Sequence, residues 1–279
     1  ESVIRQAAEL RLGNAGMFTT GEAFLHPQVF DFIRFAKESG IPYVYITSNG
    51  VLLDEEKIGK VFDSGLDSIK FSIDAAGPEI YDRERTGGDW NRLLKNIRTL
   101  RMERDRRGHG PNIFGSYVIT ADNIGELGRF REIFGDILDE VYYSFLTGQG
   151  GQQNQQNESR IAPEVRGRMS SFILEREDWN PCNLLWNRFI VTYDGKLTAC
   201  CVDFEARLVY GDLMENSLAE CWNNEKMQEY RRMHRERAFE RLPMCGVCDV
   251  VRTNYKAQDE ALDNLLKESG KRSEERRVG

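Results

Sequence analysis

Six cysteines stand at positions 182, 200, 201, 221, 245 and 248, and the 181 residues before them contain none. So uneven a distribution marks two units with different structural demands, the second built around thiols. At 279 residues the chain has room for one large domain and a small appendage. The amino end, ESVIRQAAEL, has no signal-peptide pattern, so thiolate ligation of a metal or cluster is expected ahead of disulfides.

The spacing narrows the expectation. Twelve residues separate Cys182 from Gly195 and four separate Gly195 from Cys200, while Cys245 and Cys248 form a CxxC loop. The run RFIVTYDGKLTACCVD reads as two alternating strands about an Asp194-Gly195 hairpin turn. A hairpin that folds Cys182 and Cys200 together, plus the CxxC pair, assembles four thiolates for either zinc or an iron–sulfur cluster. Successive strand residues point to opposite faces, so only one of Cys200 and Cys201 faces such a site, and Cys200 is the expected ligand. Cys201, and Cys221 in the helical run SLAECWN, read as buried apolar thiols.

Upstream, strand-like and helix-like runs alternate as in parallel βα units. The candidate strands are GMFTT (16–20), YVYITS (43–48), SIKFSID (68–74), NIFGSYVIT (112–120) and EVYYSFL (140–146). Pro27, Asp54 and Asp89 open the intervening helices, and Gly40, Gly65 and Gly108 close them. Val3, Ile4, Ala7 and Ala8 give the first ten residues a helical apolar stripe with no strand before it. The expected fold class is α/β: a partial (β/α)6 barrel lacking its first strand, over 1–146, followed by a small α+β cysteine-rich cluster-binding domain over 181–250. Residues 147–160, TGQGGQQNQQNESR, read as a linker that leads through a connecting helix to residue 180. A helix is expected from Ser217 to Phe239. Residues 251–279 read as a C-terminal helix and a charged tail, GKRSEERRVG, expected to stay unordered.

Charge excludes one class of partner. Thirty-eight Lys and Arg against 45 Asp and Glu leave a net of −7 with no basic stripe, so nucleic acid is not expected. No apolar run approaches the 18 or so residues of a membrane span, and the chain reads as cytoplasmic.

The cysteine pattern resembles the SPASM/twitch domain of the radical S-adenosylmethionine superfamily, and the likeness extends over RFIVTYDGKLTACCVDFEARLVYGDLMENSLAECWNNEKMQEYRR. The first 146 residues resemble the barrel of the same superfamily. In FTTGEAFLHP, Thr20, Gly21 and Glu22 stand where that family has Gly-Gly-Glu, with Thr20 in place of the first glycine. YITSNGVLLDEE resembles its third strand, KFSIDAAGPEIYDRERTGG its fourth, and SYVITADNIGELGRF its fifth. The resemblance implies that Gly21 and Glu22 hold the methionine ammonium of S-adenosylmethionine, that Ser72 reaches the ribose hydroxyls, and that Arg85 meets the methionine carboxylate. It implies one auxiliary 4Fe–4S cluster on Cys182, Cys200, Cys245 and Cys248.

The family's catalytic cluster is held by Cys-x3-Cys-x2-Cys, which this sequence lacks. The expectation is an N-terminal truncation, with that cluster present only in the full-length protein and the fragment itself inactive. The implied chemistry is a 5′-deoxyadenosyl radical that modifies a peptide or protein side chain, served by a flavodoxin- or ferredoxin-type electron donor. The alternatives are dehydrogenation of a sugar, cyclitol or other small molecule, and a non-enzymatic binding protein with a structural zinc site of four cysteines.

Overall fold

The computed structural model describes residues 1–278, with side chains through Gly270; most of the charged tail therefore lies outside the described side chains. The chain divides into two compact units, Glu1–Phe145 with Leu262–Gly279, and Leu146–Ala261.

The first unit runs α1 (Ser2–Glu9), β1 (Asn14–Gly16), α2 (Val29–Glu38), β2 (Tyr43–Ser48), α3 (Glu55–Ser64), β3 (Ser68–Ser72), α4 (Pro78–Glu84), α5 (Trp90–Arg107), β4 (Asn112–Ile119), α6 (Leu127–Phe134) and β5 (Glu140–Phe145). The five strands form one sheet in chain order, every pair parallel. Parallel neighbours joined by helical crossovers in unbroken order are the build of a partial (β/α) barrel, as the alternation predicted.

Helix ends follow their capping chemistry. Asp54 accepts the Lys57 N–H at 2.9 Å and Asp89 the Arg92 N–H at 3.0 Å, each satisfying a donor that the first turn leaves open. Gly65 and Gly108 close α3 and α5 in the left-handed conformation. Asp139, just ahead of β5, accepts the Ile113 N–H at 2.7 Å and pairs with Arg104 of α5. It ties that helix to the amino-terminal edge of β4.

The two faces of the sheet differ. Ile46, Ile69, Phe71, Ile113 and Tyr117 are fully buried on one face, as are Leu93, Ile97, Phe130 and Phe134 of α5 and α6. Phe130 meets Tyr117 edge-on at 4.7 Å. Register places Tyr45, Lys70, Ser72, Phe114, Ser116 and Tyr142 on the opposite face, and every one of them is half-buried or exposed. A sheet buried on both sides reads as continuous aliphatic strands. The alternation in β2 and β4 records instead a sheet whose second face is polar and aromatic.

One expected strand is displaced. The run GMFTT predicts a strand at 16–20, but β1 ends at Gly16. After Met17, whose N–H still reaches Tyr45 O at 2.9 Å, the chain leaves the ladder to carry Glu22 across to the end of β2.

The second unit holds α7 (Asn154–Glu158), α8 (Pro163–Met169), α9 (Leu184–Asn187), β6 (Ile190–Val191), β7 (Lys196–Thr198), β8 (Val209–Asp212), α10 (Leu218–Asn223) and α11 (Glu225–Arg235). The three strands pair antiparallel in order, with the Gly195 turn between the first two. The helix α12 (Tyr255–Val278) follows. Two expectations are corrected here. The helix expected over Ser217–Phe239 is two helices, because Asn224 sits in an extended conformation and its side chain caps α11 through the Met227 N–H at 2.9 Å. The stretch 147–160 is not a bare linker: Asn157 is buried and donates to Thr147 O at 2.8 Å, and Gln153 N–H closes on Gly148 O at 2.9 Å. Gly151 of this loop, at φ +86, lies so close to Val247 that a methyl group there would collide with it. No helix among the described residues is long and apolar enough to cross a membrane.

Candidate functional site

Two places gather the expected site residues, one in each unit. In the second unit, Cys182, Cys200, Cys245 and Cys248 line one cavity of about 60 Å³, several times what a single water requires. Its other walls include Leu185, Leu208, Leu242 and Val251. Cys182 stands two residues before α9, Cys200 two residues after β7, and Cys245 opens a one-turn 3-10 helix that ends one residue before Cys248. Phe239, Cys248 and Val251 form a buried core against which Trp179, Cys182, Cys245 and Val250 pack.

Cys248 is buried, the other three are partly so, and the four feel one another. Burial pushes Cys182 up to about 11 and Cys200 up to about 12, with the charge of neighbouring cysteines adding to the shift. Cys245 and Cys248 are raised by the same cause. A group of desolvated thiols is poorly placed to ionise alone and well placed to give its protons up to metal.

Cys201 also borders the cavity but is exposed, which corrects its reading as a buried apolar thiol. Strand alternation cannot choose between Cys200 and Cys201, because β7 ends at Thr198 and both lie in the turn beyond it. Cys221 is buried elsewhere, packed against Gly211 of β8.

One residue of this site was not anticipated. His234 of α11 is buried, takes the Cys182 N–H on Nδ1 at 3.1 Å, and places Nε2 3.4 Å from Cys245 Sγ. Burial lowers its pKa to about 4, so the ring is neutral at ordinary pH. The signal was present in the sequence. Met227, Tyr230, Arg231 and His234 fall at i, i+3, i+4 and i+7, the inward stripe of a helix.

In the first unit the expected cofactor residues lie along the carboxyl edge of the sheet. Glu22 accepts from Ser48 Oγ at 2.8 Å and from the Asn49 N–H at 2.8 Å, both at the end of β2, and from the Phe24 N–H at 3.1 Å. Three donors leave one of the roughly four lone-pair directions of a carboxylate open. Ser72 is the last residue of β3, on the polar face of the sheet. Arg85 follows α4 and pairs with Asp74, whose other oxygen accepts the Val118 N–H at 2.8 Å.

Asn123 locks this corner. Its Nδ2 donates to Asp74 O at 2.9 Å and to Val118 O at 2.8 Å, while its Oδ1 accepts the Thr120 N–H at 2.8 Å. The SID and ADN segments carrying Asp74 and Asn123 were visible in the sequence; their roles in holding Arg85 were not. The fold does not require glycine at Gly21, since no atom lies within 4 Å of where a side chain would start. It does at Gly50, where φ is +72 and a methyl group would overlap Leu93 and Phe71.

Residues 1–130 match the Radical SAM superfamily and residues 182–249 match an iron–sulfur cluster-binding domain, SPASM. The chain belongs to the radical SAM superfamily and carries a C-terminal iron–sulfur domain of the SPASM type. Among curated proteins it is similar to a GTP 3′,8-cyclase of Limosilactobacillus fermentum, 39% identical over 82 residues, 29% of this chain and 24% of that protein. The matches cover only 24%, 19% and 38% of the lengths of the first three curated relatives. Among solved structures, BtrN in complex with AdoMet and 2-DOIA aligns at TM-score 0.54 and 16% identity, covering 89% of this chain and 77% of that one. Streptococcus suis SuiB bound to the precursor peptide SuiA aligns at TM-score 0.61 and 12% identity, covering 82% and 58%. At such identities the likeness is one of fold.

Both cofactor types pass a test against this structure. Thiolates are donors that either zinc or an iron–sulfur cluster takes, and the cysteines that ring this apolar cavity fit the cluster expected of a SPASM-type domain. At the sheet edge, Arg85 Nε is buried without a hydrogen-bond partner among the described residues, a donor left available for an anionic group.

Proposed function

We propose that the protein to which this chain belongs is a radical S-adenosylmethionine enzyme that modifies a peptide or protein side chain, with one auxiliary 4Fe–4S cluster on Cys182, Cys200, Cys245 and Cys248. The observation that carries this reading is the convergence of those four thiols on one apolar cavity inside the matched iron–sulfur domain. A catalytic cluster, when bound, supplies the electron that cleaves S-adenosylmethionine to a 5′-deoxyadenosyl radical, which takes a hydrogen atom from substrate.

The chain's own residues bind and orient. Glu22 receives the methionine ammonium on its open lone pair, Gly21 lets backbone come close to it, Ser72 meets the ribose hydroxyls, and Arg85 offers Nε to the methionine carboxylate. Asp74 and Asn123 hold that arginine in place. Tyr45, Phe114 and Tyr142 on the uncovered face give substrate an aromatic wall that keeps water from a radical. A flavodoxin- or ferredoxin-type protein delivers the electron. Likeness to the peptide-bound SuiB supports a peptide substrate. A second reading, dehydrogenation of a sugar, cyclitol or other small molecule, draws on the likeness to BtrN with 2-DOIA.

Anaerobic reconstitution tests the cluster. The 279-residue chain is expected to take up about four irons and turn brown; a colourless chain that binds one zinc instead sinks the proposal. Because residues 1–181 hold no cysteine, this chain alone is expected to release no 5′-deoxyadenosine with S-adenosylmethionine and dithionite. Deuterium carried into 5′-deoxyadenosine by a catalytically competent full-length protein, from a labelled peptide or from a labelled polyol, separates the two substrate classes.

A further inference from the structure

We propose that His234 is a positioning residue for the auxiliary cluster, donating a hydrogen bond from Nε2 to the Cys245 thiolate and thereby setting the cluster's reduction potential. The inference rests on the reading that Cys182, Cys200, Cys245 and Cys248 hold that cluster.

Three contacts fix the imidazole. The Cys182 backbone N–H donates to Nδ1 at 3.1 Å. A ring nitrogen that accepts carries no proton, so the proton of the ring sits on Nε2. Nε2 lies 3.4 Å from Cys245 Sγ, a fitting separation for a donor to the larger sulfur atom. Phe239, itself fully buried, stands against the ring at 5.0 Å and 81°, and Trp179 backs Phe239 at 6.0 Å. With 1% of its surface exposed, His234 has no water to replace either partner.

The arrangement joins two distant ligands. Through one rigid ring, the backbone of Cys182 is tied to the sulfur of Cys245. Ligand-directed hydrogen bonds from outside the coordination sphere orient ligands and tune metal centres. A donor aimed at a cysteine sulfur favours the more negatively charged, reduced cluster and so raises its potential.

The test compares the reconstituted 279-residue chain with His234→Phe and His234→Gln. The phenylalanine variant keeps the bulk and loses the donor. It is expected to retain iron while its reduced-to-oxidised ratio at a fixed poise falls about tenfold, a shift of about 59 mV for a one-electron couple. The glutamine variant, whose amide N–H reaches toward the same sulfur, is expected to recover most of that shift. If the phenylalanine variant takes up no iron, the wild type decides: after ¹⁵N-histidine labelling, pulsed EPR of the reduced cluster is expected to show a coupled histidine nitrogen. Equal potentials in all three proteins, or no coupled nitrogen in the wild type, overturns the proposal. A wild-type chain that binds no cluster overturns the parent reading and this inference with it.

Discussion

In the first unit, five strands share a continuous ladder and their buried face is filled by Ile46, Ile69, Phe71, Ile113 and Tyr117, none of them exposed. In the second, the longest strand has four residues, and the core around Phe239 contains Cys248 itself, with Cys182 and Cys245 packed on it. The contrast is one of where cohesion resides. Full burial of an aliphatic or aromatic side chain contributes about 1.5–3 kcal/mol, and the first unit has many such residues, none of them a candidate cluster ligand. The second places its candidate ligands where a self-sufficient domain would place leucines. Its order is expected to depend in part on whatever the thiols hold.

The sharpest way to break this contrast is to remove a ligand. Cys245→Ala or Cys248→Ala is expected to abolish iron uptake and to raise amide hydrogen exchange throughout residues 146–261, while protection in β2 to β4 stays at the wild-type level. Equal loosening of both units would show that cohesion is shared after all. Cys221→Ala, which removes a sulfur packed on Gly211 and away from the cavity, should keep the iron.

The converse perturbation is smaller. Phe71→Ala empties a fully buried position of the sheet and is expected to cost the first unit about 3–5 kcal/mol in denaturant unfolding, with the visible absorption of the cluster unchanged. Loss of that absorption would mean the second unit leans on the first.

The least effect is expected from Asp139→Asn, at about 1 kcal/mol near neutral pH. The Arg104 guanidinium, together with the Ile113 N–H, holds the Asp139 carboxyl below its ordinary 3.8. As pH falls, the unfolded chain takes the proton first. The stabilisation is thus complete above that ordinary value and is lost as pH drops through the lower, folded one. Thermal melts of Asp139→Asn and wild type should differ at pH 7 and converge as the pH falls below the ordinary carboxylate value of 3.8. A difference that persists in acid would assign the effect to geometry rather than charge.

The sheet was legible because one face of it is covered. Alternation in YVYITS and NIFGSYVI follows from that one-sided burial, and Asp54, Asp89, Gly65 and Gly108 punctuate the helices by local chemistry alone. GMFTT misled because β-branched and aromatic residues favour a strand wherever they stand, while the ladder ends where Glu22 must cross to Ser48. The second unit was harder to read for the reason it differs. Its strands of two to four residues are too short for periodicity to show. The cysteine spacing still pointed to Cys182, Cys200, Cys245 and Cys248, which line the cavity, but not to Cys201, which borders it too. It could not expose His234, whose importance lies in a backbone N–H and a sulfur brought to it from two other segments.

The segment from Leu262 onward belongs to the first unit, where Arg131 of α6 donates to Leu266 O at 3.0 Å and to Ser269 Oγ at 2.8 Å. On the ribosome, then, the sheet is finished at Phe145, yet this piece emerges only after the whole cysteine-bearing unit has been made. At about 5–20 residues per second the wait lasts on the order of ten seconds, during which Arg131 of α6 lacks its Leu266 and Ser269 contacts. Closure of that contact marks the moment when every ligand-bearing segment has left the tunnel.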